Sequence, residues 1–292
     1  MKKKLIAMMA MAVLATGLAA CSSNEADITN ANAPASAGSS VSASAGPSES
    51  AGSSTNMGTG VEGVLTIGFD QDFPPMGFIG EDGEFTGFDL DLAGEVAERL
   101  GLELKLQPIA WDSKDMELES KNIDCIWNGF TINKREDDYT WTTPYMANNQ
   151  VFVVKADSNI KSLADLAGKT VVVQVDSSAE AALKDKPELV GTFGDYMTAA
   201  NYNTALMDLE AGAVDAVAMD DIVASYQIEK RGGQFVVLEE SLAAEDYGVG
   251  FLLGNETLRD QVQSALEEMA ADGKLAEISN KWFGKDITTI GK

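Results

Sequence analysis

The residues able to do chemistry in this chain are carboxylates and amides. It has no histidine, and 46 acidic residues against 21 basic ones give a formal charge of −25. General acid–base catalysis at neutral pH draws most often on histidine. No nucleophile elbow or metal-ligating cluster stands in for it, so lone carboxylates such as Glu180 are what remains for an acid or base. Polar residues gather instead at the ends of apolar runs: VLTIGF leads into Asp70 and Asp72, and KTVVVQ leads into Asp176, Ser177 and Ser178. Such strand ends mark ligand sites in open α/β sheets. The chemistry on offer is recognition through charge and hydrogen bonds.

The elements that must position these residues begin after a long leader. Lys2, Lys3 and Lys4 precede an apolar run from Leu5 to Ala20, which has the layout of a secretory signal peptide over residues 1–20. The run is short for a bilayer span, which needs about 20 predominantly apolar residues. It ends in Leu18, Ala19, Ala20 and Cys21, a string similar to the bacterial lipobox, whose cysteine is acylated; ordinary signal cleavage accepts the same small residues. Residues 21–62 are then expected to be the lipidated cysteine and a disordered Ser/Ala/Gly-rich tether, too poor in large apolar residues to offset the entropy of ordering. Its reach is roughly 35 Å.

Without the three leader lysines, 18 basic residues face 46 acidic ones. Nucleic acid and anionic membrane surfaces are poor partners for such a chain, and the charge reads first as solubility. Cys125 is the only cysteine left after Cys21, so no internal disulfide is possible, and its IDCIW surroundings place it in a buried strand.

About 230 residues follow the tether, enough for one large α/β domain or two smaller ones. VLTIGF reads as a buried strand, residues 73–87 as a turn-rich segment, and FDLDLAGEVAERLG as a helix with Leu90, Ala93, Val96, Ala97 and Leu100 on one face and Gly101 at its end. LELKLQPI alternates as a strand, giving a crossover unit of a mainly parallel sheet. SLADLAG reads as a helix and turn before the strand TVVVQ, and the chain closes on a strand, YGVGF, and two helices separated at Asp272 and Gly273. The segment MELESKNIDCIWNG at 116–129 lays over MDLEAGAVDAVAMD at 207–220, so each half of the chain carries a helix, turn and strand of the same kind.

Eight strings in order carry a family resemblance: GFDQDFPPMGF at 68–78, TGFDLDLAGEVAERLG at 86–101, NIDCIWNGFTINKRED at 122–137, TTPY at 142–145, DLAGKTVVVQVDSSAE at 165–180, VDAVAMDDIVA at 214–224, YGVGF at 247–251 and the closing DGKLAEISNKWFG. Over nearly all of residues 63–286 the chain resembles the polar amino-acid family of ABC-importer solute-binding proteins, the bacterial extracellular solute-binding proteins of family 3, in lipoprotein form. The resemblance implies an α/β, two-lobed fold of the type II periplasmic-binding-protein kind, each lobe a mostly parallel sheet flanked by helices, joined by a two-strand hinge. Residues 63–152 and 247–292 would form the first lobe and residues 153–246 the second. It further implies a monomeric extracytoplasmic binder, not an enzyme, anchored by Cys21 to the outer face of the cytoplasmic membrane. Its partners would be a free amino acid and the permease and ATPase subunits of an importer; no cofactor, metal or nucleic acid is expected. A sensory amino-acid-binding module and a dehydratase-like enzyme are the alternative uses of the same fold.

A free amino acid presents a carboxylate, an ammonium and a side chain, and each charge needs a partner once desolvated. By the resemblance, Arg135 stands at the carboxylate-binding position, where a guanidinium makes a bidentate match, with the Thr131 hydroxyl, the Gly129 backbone and the Ser178 N–H beside it. Asp220 stands at the ammonium position; its neighbour Asp221 is a rival that strand alternation turns to the opposite face. Phe73 and Trp111 match the aromatic walls, and Asp70, Asn128, Gln174 and Met219 match the lining of the side-chain end. That lining suits a polar uncharged or cationic side chain, and Asp70 with Asp220 should repel an acidic one. Read on their own residues, Arg135 in KREDD fits a solvated surface charge, Phe73 and Trp111 fit core aromatics, and Asp70 fits a turn or cap. Two departures from the family pattern stand out: the segment from Thr131 to Arg135 is one residue short, and Asp176 occupies a position where glycine is common.

Overall fold

The computed structural model describes residues 63–292; the signal peptide at 1–20, lipidation at Cys21 and the tether to residue 62 lie outside the described residues. β1 (Val64–Phe69) is buried along five of its six residues, as a parallel strand covered on both faces should be. The segment after it, read as turns, folds into a small antiparallel ribbon of β2 (Asp72–Phe73), β3 (Gly77–Ile79) and β4 (Phe85–Thr86). α1 (Phe88–Leu100) buries Leu90, Ala93, Val96 and Ala97 on the expected face, and Gly101 ends it at φ 66°, a left-handed conformation that costs glycine little. β5 (Glu103–Pro108), a single 3₁₀ turn at Trp111–Ser113, α2 (Lys114–Glu119), β6 (Cys125–Thr131), β7 (Thr140–Trp141) and β8 (Met146–Lys155) follow.

The SLADLAG helix of the sequence reading is only a 3₁₀ turn at Leu163–Leu166. Ser162 and Asp165 close it with a capping box, and the backbone leaves it at Ala167 before a second turn can form. β9 (Thr170–Gln174), α3 (Ser178–Lys184), α4 (Pro187–Val190), β10 (Asp195–Ala199), α5 (Tyr202–Ala211), β11 (Ala216–Asp220), α6 (Asp221–Lys230) and β12 (Phe235–Val237) come next. β13 (Ala243–Phe251), α7 (Glu256–Asp272) and α8 (Lys274–Phe283) complete the chain. α7 and α8 pack on α1, and Lys281 and Trp282 of α8 both reach the Asp91 carboxylate at 2.6 Å. No described helix is long and apolar enough to cross a membrane.

The main sheet runs β10-β9-β11-β8-β13-β6-β1-β5, with β12 beside β8 and β7 beside β13. Its two ends are parallel, while the strands in its middle pair antiparallel. β13 changes partner at Tyr247: residues 243–247 face β8, and residues 247–251 face β6 and β7. Two long strands thus connect the halves of a two-lobed α/β fold.

The repeat read from sequence has a physical counterpart. α2 leads through a turn into β6, and α5 leads through a turn into β11. The matched aspartates do the same work: Asp124 accepts from the Thr66 N–H at 2.7 Å, and Asp215 from the Thr170 N–H at 2.8 Å, each tying the turn to its neighbouring parallel strand.

Candidate functional site

The first wall of the site comes from the strand ends of the β1 half of the sheet. Gly129, inside β6, has φ 54°, and a Cβ there would lie 2.9 Å from the Phe73 ring and 3.1 Å from that of Tyr247, so only glycine fits. Its N–H donates to Asp89 Oδ2 at 2.6 Å, and Tyr145 donates to the same oxygen at 3.0 Å. Asp89 is fully buried at the start of α1, and burial pushes its carboxyl up to about 7. That internal acid holds the bent β6 backbone in place. Asn128 Oδ1 accepts from the Asp70 N–H at 3.0 Å, while its Nδ2 has no partner among the described residues.

Arg135 sits beyond β6, half buried over the Phe130 ring at 5.3 Å. Its Nη2 donates to the Asp176 carbonyl at 3.1 Å and its Nη1 reaches the Thr131 carbonyl at 3.4 Å, so the shortened loop still turns the guanidinium inward. Trp111 Nε1 donates to the same Asp176 carbonyl at 3.2 Å.

The facing wall comes from the β9 and β11 half. Ser177 caps α3 by accepting from the Glu180 N–H at 3.1 Å, which sets Ser178 at the first helical position. Asp220 closes β11, 3 % exposed, with Tyr247 donating to its Oδ1 at 2.6 Å; burial and the nearby Glu245 push its carboxyl up from its ordinary value.

One cavity is lined by Phe73, Trp111, Asn128, Gly129, Thr131 and Arg135 from the first wall and by Gln174, Ser177, Ser178 and Asp220 from the second. The side chains leave only about 10 Å³ between them, roughly the space that holds one water. A guanidinium and a carboxylate therefore share a small enclosure with two aromatic rings.

Asp70 and Met219, expected in this lining, are placed elsewhere. Asp70 is spent on its own contacts, accepting from the Asp72 N–H at 2.8 Å and from Gln174 Nε2 at 2.8 Å, and it borders a neighbouring hollow that shares Trp111. Met219 is fully buried in the core, because adjacent strand positions face opposite sides and Asp220 takes the cavity side. Ser177 was named from sequence only as a polar residue at a strand end, and Asn148, Gln150, Glu245 and Tyr247 were not singled out. The last four lie on β8 and β13, whose polar alternation was the one available signal.

A larger hollow, about 850 Å³, lies between α7, α8 and the C-terminal residues 286–292, with Thr143, Pro144 and Asp246 on its other side. It shares no lining residue with the cavity that holds Arg135 and Asp220. Among the described residues no cluster of three or more His, Cys, Asp or Glu is placed to hold a metal.

The family model of the bacterial extracellular solute-binding proteins, family 3, matches residues 65–285, which include every wall just described. The chain belongs to that family. Its members are substrate-binding transport proteins that work outside the cytoplasm, and this member is a binder, not an enzyme. It is 35% identical over 229 residues to the L-cystine-binding protein TcyJ of Escherichia coli (strain K12), covering 77% of this chain and 85% of that protein. It is 32% identical over 231 residues to the L-cystine-binding protein TcyA of Bacillus subtilis (strain 168), covering 78% and 84%. Among solved structures, an ABC uptake transporter substrate-binding protein from Streptococcus pneumoniae with bound histidine superposes with a TM-score of 0.75 at 38% identity, covering 77% of this chain and 94% of that one.

Proposed function

We propose that this solute-binding protein captures a free amino acid with a polar uncharged or cationic side chain between its lobes and delivers it to the permease of an ABC importer. The observation that carries the reading is that Arg135 and Asp220, from opposite walls, line one cavity with Phe73 and Trp111. Arg135 takes the carboxylate with Thr131 and the Ser178 N–H, Asp220 takes the ammonium, and the rings exclude water around the side chain. Relatives named for L-cystine and one solved with histidine agree with this ligand class.

An amino acid is far larger than the space between the walls, so entry requires them to part. The lobes, residues 63–152 with 247–292 and residues 153–246, swing about β8 and β13, and closure gives the permease a shape to read. Cys21, acylated, tethers the protein to the outer face of the cytoplasmic membrane. The test is a thermal-shift screen over the twenty amino acids with cystine and ornithine, since a ligand that binds only the folded state raises the melting temperature. A shift with polar or cationic members and none with aspartate or glutamate is expected; no shift with any member refutes the reading.

A further inference from the structure

β8 lies between β11 and β13 and bridges a carboxylate from each. The register sets Gln150 opposite Asp220 and Asn148 across from Glu245, and amides two residues apart project from one face of a strand. Asn148 Nδ2 is 2.6 Å from Glu245 Oε1 and 3.1 Å from Asp220 Oδ1. Gln150 Nε2 is 2.7 Å from both oxygens. The two carboxylates, 3 % and 6 % exposed, therefore point single oxygens at the same pair of donors.

Among the described residues, no cation pairs with either carboxylate. β13 contributes the Tyr247 phenol, α5 the buried Tyr202 phenol, and the start of α3 the Ser178 hydroxyl, which lies 2.8 Å from Gln150 Nε2. The next residues in the chain, Asp221 and Asp246, border other hollows. Among the described residues, no ion pair within 4.0 Å involves Asp220 or Glu245, and Arg135 is the one cation lining the same cavity. Two like charges this close in a dry site do not both ionise readily.

We propose that Asp220 and Glu245 hold one proton between them, and that an ammonium docking on Asp220 expels that proton to solvent. Glu245 is then a positioning residue that acts through Asp220. The proposal rests on Asp220 being the ammonium partner. The charge balances: the protonated pair carries one negative charge, and the ionised pair with an ammonium also carries one, the proton leaving to water. A ligand without an ammonium has nothing to exchange, so the pair also discriminates against such ligands. The upward push of burial and Glu245 on the Asp220 carboxyl agrees with the shared proton.

Two measurements test it. Carbon-13 carboxyl NMR of the ligand-free protein should show one carboxyl of the pair still protonated at neutral pH; finding both ionised overturns the proposal without any ligand or variant. Calorimetry with L-arginine and L-cystine in buffers of different ionisation heat should show about one proton released per molecule bound, with affinity rising by up to about tenfold per pH unit below the pH at which the ligand-free pair gives up its proton. Glu245→Gln should flatten that profile. Binding heat without proton release overturns the exchange alone, whereas no heat from these two or from any other member of the amino-acid screen overturns the exchange together with the amino-acid reading.

Discussion

Gln174 Nε2 donates to Asp70 Oδ2 at 2.8 Å across 104 residues of chain, joining the end of β9 to the end of β1. Burial pushes the Asp70 carboxyl from 3.8 up to about 6, against the opposing pull of the Asp72 N–H and of Gln174. The folded state thus binds this proton more tightly than the unfolded chain does. Its contribution to stability is full below about pH 3.8 and is lost as pH rises through about 6. Asp70→Asn should remove a pH-dependent cost on the order of 3 kcal/mol. Urea unfolding across that window should show the variant gaining on the wild type as pH rises; parallel profiles would count against a protonated Asp70.

Gly129 is the backbone position on which the first wall turns. Gly129→Ala forces a Cβ to within 2.9 Å of Phe73 at a φ of 54°. The expected loss is about 1–3 kcal/mol of stability from left-handed strain and overpacking, with weaker amino-acid binding as Phe73 is pushed aside. Paired unfolding and calorimetry on this variant check both, and an unchanged affinity would remove Gly129 from the site.

Asp176 holds the walls together from a non-glycine left-handed turn at φ 57°. Its carboxylate pairs with Lys114, a lysine only 1 % exposed, and its carbonyl accepts from Trp111 and Arg135. Asp176→Asn keeps the carbonyl and the tolerance for that turn but removes the charge. The half-exposed aspartate limits the expected loss to about 1–2 kcal/mol of closure. Affinity should fall accordingly, with the largest fall at low salt; a salt-independent effect would contradict an ionic latch.

Much of this was legible because short-range physics fixed it. The apolar face of α1, its end at Gly101, and the buried strand around Cys125 follow from periodicity and turn chemistry. The repeat was readable because Asp124 and Asp215 each tie a turn to a parallel strand. The site residues came from the family resemblance and not from local pattern; nine of the eleven it implied line one cavity. What escaped depends on distant pairing. Asn148, Gln150 and Glu245 look like ordinary strand polars until β8 is set between β11 and β13. Met219 was misplaced because its motif position says nothing about which face of β11 the cavity takes, and Lys114 gave no sign of burial because its partner lies 62 residues away.

The central claim is that Arg135 and Asp220 hold the two charged ends of one amino acid. It is tested most directly by calorimetric titration of L-cystine and L-arginine into the wild-type protein and Arg135→Ala. Truncating one partner of a desolvated charge pair costs about 2–5 kcal/mol, so the variant should bind at least tenfold more weakly while keeping its fold by circular dichroism. Equal affinity for both proteins would contradict the account.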